Sequence, residues 1–207
     1  MLRRVLLSWS SGKDSAWALH VLRNDPQVEV VGLLSTVNTA YGRVAMHSTR
    51  LELLRAQAQA LGLPLHIVPL PWPCSNEVYE AAMRKAVEDA LEHGVTHIAF
   101  GDLFLEDVRA YRVKQLEGSG LEPLFPIWHE PTGPLARRMI DAGLQAVITC
   151  IDPRSSRARL PVAGLTTHCS MNCPKVWTPV ARTESFTPAS WPGRCSASHC
   201  TPQLARR

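Results

Sequence analysis

At 207 residues and 45% hydrophobic content, the chain can bury a substantial core as one α/β domain, and no apolar run approaches the roughly 20 residues of a membrane span. Ser8, Ser10, Lys13 and Asp14 interrupt the apolar stretch after Met1-Leu2-Arg3-Arg4 too early for a secretory leader, so a cytoplasmic location is expected. The net charge of +4 is slight and no basic block carries interleaved aromatics, which leaves nucleic acid unsupported as a partner.

Short apolar runs alternate with helical patterns in the manner of βαβ units, and that order predicts a parallel sheet with helices on both faces. The expected strands are Arg4–Trp9, Val28–Leu34, Leu65–Leu70, His97–Gly101 and Ala146–Ile151. The expected helices are Lys13–Arg23, Ser48–Leu61, Asn76–His93, Glu106–Glu117 and Pro134–Ala142. Gly62, Gly94 and Gly143 stand just past three of them, where a left-handed residue stops a helix. Residues 1–153 read as one ordered domain, and 154–207 as an irregular, poorly ordered tail.

The first strand runs directly into Ser10-Ser11-Gly12-Lys13-Asp14-Ser15, which opens the first helix. A strand, a turn of small residues and a helix start bring backbone N–H groups and the positive end of the helix dipole onto one anion, and Lys13 adds a full charge. The plainer reading is a polar cap, with Ser11 or Asp14 satisfying the first helical amides. The spacing is not that of the kinase and GTPase P-loop, because no Gly stands five residues before Gly12-Lys13.

In an open parallel sheet, ligands bind outside the carboxyl ends of the strands. The turns at those ends are polar here: Ser35-Thr36 after the second strand, then His47 and Arg50, and after the fourth strand Gly101-Asp102, Glu106, Arg109 and Arg112. Helix capping and surface ion pairs three or four residues apart would account for the same residues more simply.

The loop resembles the Ser-Gly-Gly-x-Asp-Ser pyrophosphate loop of the ATP pyrophosphatases, with Ser11 where that superfamily usually has Gly. A side chain there costs roughly 1 kcal/mol if the backbone needs positive φ, so phosphate binding is expected to be weakened or altered, not abolished. Gly101-Asp102, Arg109-x-Tyr111-Arg112, Gly120-Leu121-Glu122-Pro123-Leu124 and Pro126-Ile127-Trp128 together resemble the diphthine–ammonia ligase family, also described as adenine nucleotide alpha-hydrolase-like. The resemblance runs from Leu6 to about Arg154. It implies a Rossmann-like, HUP-type five-stranded parallel sheet and an ATP-dependent amide-forming ligase that adenylates a carboxylate, releases pyrophosphate and lets ammonia displace AMP.

On that footing Ser10, Ser11, Gly12, Lys13, Asp14 and Ser15 are expected to hold ATP with Mg²⁺, and Ser35 and Thr36 to contact adenosine. Lys13, Asp14 and Asp102 are the expected catalytic residues, with Asp14 orienting Lys13 or holding the metal. His47, Arg50, Gly101, Glu106, Arg109 and Arg112 are expected on the substrate side. A homodimer stays open, as do two other functions: another enzyme of the superfamily, acting on tRNA or a small molecule, and a nucleotide-binding module without catalysis.

After Pro153 hydrophobic periodicity stops, while Pro, Ser, Thr, Arg, Cys and Trp accumulate. Cys169, Cys173, Cys195 and Cys200, with His168 and His199, have only a suggestive zinc spacing, and no residue set is assigned to a metal. Reading the third base of each codon with the first two of the next turns Met171-Asn172 into Glu, Asn172-Cys173 into Leu, Trp177-Thr178 into Asp and Trp191-Pro192 into Ala. The re-read segment accommodates Gly-Glu-Asn-Gly-Glu-Phe-His-Thr, which resembles the C-terminal signature of the same family. Residues from about 154 onward are therefore expected to be an out-of-frame translation, leaving a chain that binds ATP but turns over poorly.

Overall fold

Residues 2–147 are described by the structure, a computed structural model. Their elements run β1 (Arg3–Ser8), α1 (Lys13–Arg23), β2 (Val28–Asn38), β3 (Arg43–Val44), α2 (Leu51–Leu61), β4 (Leu65–Leu70), α3 (Asn76–Glu92), β5 (His97–Ala99), α4 (Glu106–Leu116), β6 (Glu122–Leu124) and α5 (Thr132–Asp141). Five strands are parallel in the order β4-β2-β1-β5-β6, and β3 adds a short antiparallel pairing to β2. The sheet grows from β1 outward through β2 to β4, then returns to the other side of β1 for β5 and β6. The β1/β5 junction is thus the topological switch point, where a crevice opens at the carboxyl edge.

Alternation along the strands splits the core between two faces. Val5, Leu7, Leu33, Val37 and Ala99 pack against Ala18, Leu19 and Leu22 of α1 and Leu54 and Ala58 of α2. Leu6, Leu34, Val68 and Ile98 face the other way, onto Val87 and Ala90 of α3 and Leu116 of α4. Leu135 and Met139 of α5 join Trp17 of α1 in a third cluster. Burying a side chain of this size contributes about 1.5–3 kcal/mol, so the inward positions fix the register.

The helices fall close to the expected spans, and Gly62, Gly94 and Gly143 all adopt the positive φ of helix stops. One parallel strand was not among those expected. Glu122–Leu124 lies beside β5, whereas only residues 146 and 147 of the expected Ala146–Ile151 strand are described. A three-residue strand containing Pro123 carries too little periodicity to register as one. The expected irregular, out-of-frame tail and its Cys/His cluster lie outside the described residues.

The other unanticipated strand positions the site. The 11-residue β2 outruns the six-residue β1, and the two pair only as far as Ser8 and Leu34. The Leu34 carbonyl accepts from Trp9 N at 2.8 Å, and the next one pointing the same way, from Thr36, accepts from Ala45 N at 3.0 Å. β3 therefore occupies the edge of β2 that β1 has vacated, and the chain following it covers the turn that leaves β1.

Candidate active site

Gly12 is the N-cap of α1, and no side chain caps that helix. The first-turn amides thus lack the partner a polar cap would supply, which sets aside the plainer reading of Ser11 and Asp14. Serine hydroxyls bind the loop to itself: Ser15 Oγ donates to the Gly12 carbonyl at 2.9 Å, and the Ser10 and Ser15 hydroxyls lie 3.2 Å apart. Ser15 is buried, so it shapes the turn from inside. Ser11 sits at φ 64°, the left-handed conformation for which glycine is the unstrained residue. Its buried hydroxyl has no hydrogen-bond partner. Lys13 Nζ reaches both carboxylate oxygens of Asp14, at 2.7 and 2.8 Å, with both side chains largely shielded.

Two close approaches define the walls of this turn. A Cβ built on Gly101, just beyond β5, would lie 3.0 Å from the backbone of Asp14 and Ser15, so a side chain there would press the end of β5 against the first turn of α1. A Cβ on Gly12 would lie 2.8 Å from His47 Nε2, which places the imidazole directly over the phosphate loop. His47 is carried there by the turn after β3, where Ser48 holds φ 52° and its carbonyl accepts from Arg43 Nη1 at 2.7 Å. Partial desolvation lowers the His47 pKa, Asp14 opposes that shift and Lys13 reinforces it.

The remaining positions divide. Ser35 is 2% exposed and its hydroxyl donates to the Trp9 carbonyl at 2.6 Å, so it braces the turn out of β1 rather than presenting a free group. Thr36 is half-buried beneath the turn after β3. Arg50 is exposed at the N-cap of α2, where its backbone pairs with Arg43.

Beyond Gly101 the chain builds a second wall from side chains. Arg112 Nε donates to Asp102 Oδ2 at 2.6 Å, and its guanidinium lies 4.3 Å from the centre of the Phe100 ring. Three residues earlier on the same helix face, the Arg109 guanidinium lies 5.1 Å from the Phe125 centroid and 5.3 Å from that of Trp128. Phe100 stacks on Phe125 at 5.6 Å, and Phe125 meets Trp128 edge-on at 5.8 Å, so both arginines lie along one aromatic ladder. Glu106 is not gathered into this group; it pairs with His129 on the surface at 3.1 Å. Burial pushes the Tyr111 phenol up to about 12, with Tyr79 and Glu80 adding to the rise and Arg112 opposing it, and its hydroxyl has no partner.

Sequence reasoning assigned no site role to Phe100, Phe125, Trp128 or Tyr111. The two aromatics beyond β6 become neighbours of α4 only because that strand returns them to β5. Among the described residues no three His, Cys, Asp or Glu side chains gather as a metal site, and no helix is long and apolar enough to cross a membrane.

An uncapped helix start with a lysine, set at the switch point of a parallel sheet, is an anion-binding arrangement, and the family match places it in the PP-loop ATP pyrophosphatase class. Residues 3–122, more than half of the chain, match the family model of the diphthamide synthase N-terminal domain, and the chain belongs to that family. No curated protein matches it.

Proposed function

We propose that this chain, as a member of an ATP-using family, adenylates a carboxylate and passes the acyl group to ammonia. A carboxylate oxygen attacks the α-phosphorus of ATP, the bond to the β-phosphate breaks and pyrophosphate departs. Ammonia then attacks the acyl carbon, AMP leaves, and the surplus proton goes to solvent. The observation that carries this reading is the uncapped α1 start beside Lys13, which suits negative charge accumulating on departing pyrophosphate.

Backbone amides of the 10–15 turn and the Ser11 hydroxyl, which has no partner of its own, are assigned to the phosphates. Ser10 and Ser15 hold the turn's shape, and Asp14 holds Lys13. Mg²⁺ arriving with the nucleotide would add further charge neutralisation. Ser35 supports the adenosine side through Trp9, with Thr36 beside it, and His47 covers the phosphates. Asp102, Arg109 and Arg112 serve the acyl side, Gly101 admits them to the loop, and Arg50 and Glu106 lie at the periphery. We assign the activity to the cytoplasm, where ATP is abundant.

Pyrophosphate release tests this reading. Purified chain given ATP, ammonium and a panel of carboxylates, protein-bound and free, is expected to release pyrophosphate and AMP in equal amounts, only when a carboxylate is accepted. Release of phosphate and ADP instead would refute it.

A further inference from the structure

The two arginines of α4 look equivalent in sequence, three residues apart, but the structure gives them different partners. Arg112 is neutralised by Asp102 at 2.6 Å. Arg109 forms no ion pair among the described residues, and its Nε is buried without a hydrogen-bond partner. A buried Nε–H without an acceptor is costly, because that donor has left water and found nothing in exchange. The Phe125 and Trp128 rings against it stabilise its charge but accept no conventional hydrogen bond, so they support the guanidinium without satisfying it.

Arg109 also sits on different rings of the ladder from its neighbour. The Gly101 backbone touches Asp14 and Ser15, Asp102 follows, and Arg112 pairs with Asp102 over Phe100. Arg109 stands over the next two rings of the ladder, Phe125 and Trp128. An anion bound there would be part of the acyl substrate rather than of the nucleotide.

We propose that Arg109, seated over Phe125 and Trp128 with no acid of its own among the described residues, is the carboxylate receptor of the acyl site, whereas Arg112, already neutralised by Asp102, is a positioning residue. The proposal rests on the adenylating reading for its substrate class. A carboxylate seated against the guanidinium would supply the charged acceptor that it lacks among the described residues, and the ladder would offer an apolar surface to the rest of the molecule.

The test uses the full chain and fluorobenzoate, a small aromatic carboxylate, followed by fluorine NMR at constant ionic strength. Binding that acetate displaces and chloride does not is expected. Arg109→Gln should weaken it about tenfold, and Arg109→Lys, which keeps charge without the fork, by less. Arg112→Gln should lose less than Arg109→Gln, and Arg138→Gln, remote on α5, should lose nothing. ATP affinity of Arg109→Gln on the same samples should hold.

Native binding no stronger than that of chloride, or equal binding by native chain and Arg109→Gln, would overturn the proposal. So would a larger loss from Arg112→Gln, or ATP affinity falling in step with Arg109→Gln, which would make Arg109 a reader of nucleotide phosphate. If Arg109→Gln fails to fold by circular dichroism, Arg109→Lys decides: binding equal to native overturns the receptor, and a partial loss supports it. Loss of the adenylating reading has a separate signature, unchanged ATP affinity in Lys13→Ala, which leaves the fluorobenzoate titration readable by itself.

Discussion

The phosphate loop and the α4 wall meet at Gly101, yet they are built in opposite ways. The loop is a backbone device, in which six consecutive residues, a helix start and small side chains leave amides unpaired where an anion would sit. The wall is a side-chain device, assembled from Phe100, Asp102, Arg109, Arg112, Phe125 and Trp128 on three different segments. Backbone devices tolerate little added volume, whereas side-chain devices fail when one charge is removed. Substitutions in the two halves should therefore fail in different ways.

The largest effect is expected in the loop. Lys13→Ala removes the only cation placed within the 10–15 turn, and ATP affinity or pyrophosphate release should fall about tenfold or more. Isothermal titration with ATP measures it; unchanged affinity and turnover would take the turn out of the site. Next comes Gly101→Ala, whose new Cβ would stand 3.0 Å from rigid backbone at Asp14 and Ser15. Overpacking of this kind costs about 1–3 kcal/mol. Thermal melts should show the loss together with weakened ATP binding, and a variant normal in both would mean that the end of β5 and the first turn of α1 are free to separate.

Asp102→Asn tests the wall. The shape is nearly kept but the partner of Arg112 loses its charge, so ATP affinity should stay within a few-fold while turnover falls severalfold. A variant that unfolds, with normal specific activity in its folded fraction, would reduce Asp102 to a structural residue.

The contrast also explains what could be read from the sequence. The loop was legible because its parts are contiguous, and the five helices because their apolar spacing and glycine stops are local signals. The parallel sheet was legible in the βαβ alternation, whereas its order and the three-residue β6 were not. The wall was legible only in pieces. Arg109 and Arg112 stood out as charges, but nothing local says that Asp102 takes one and leaves the other. β3 escaped because two residues have no period, yet it explains how His47, far along the chain, covers Gly12. Ser35 shows the converse: a strand-end hydroxyl that looks available is spent on Trp9.

His47 gives a smaller, pH-dependent effect. Its folded-state pKa lies below the usual 6.5, so the unfolded chain binds more protons as pH falls through that value. Stability contributed by neutral His47 is present above the ordinary histidine pKa and declines as pH drops through and below it. Melting temperature should thus fall on moving from neutral to mildly acidic buffer, and His47→Gln should flatten part of that decline. Equal pH dependence in the two proteins would mean that the loop does not desolvate the imidazole.

The smallest effect belongs to Ser11, and it isolates backbone from side chain within the loop. At φ 64° a residue with a Cβ is strained by roughly 1–2 kcal/mol, while glycine's greater freedom in the unfolded chain gives back roughly 0.5–1 kcal/mol of that gain. Ser11→Gly should therefore raise stability by about 1 kcal/mol or less. Removing the hydroxyl alone also helps, because it is buried without a partner, so the gain needs a second variant to be interpreted. Ser11→Ala deletes the same hydroxyl but keeps the strained Cβ. Thermal melts of the three proteins should rank glycine above alanine and alanine at or above serine. Glycine no more stable than alanine would mean that the turn carries no backbone strain at this position, and that the loop's tolerance of serine needs no compensation.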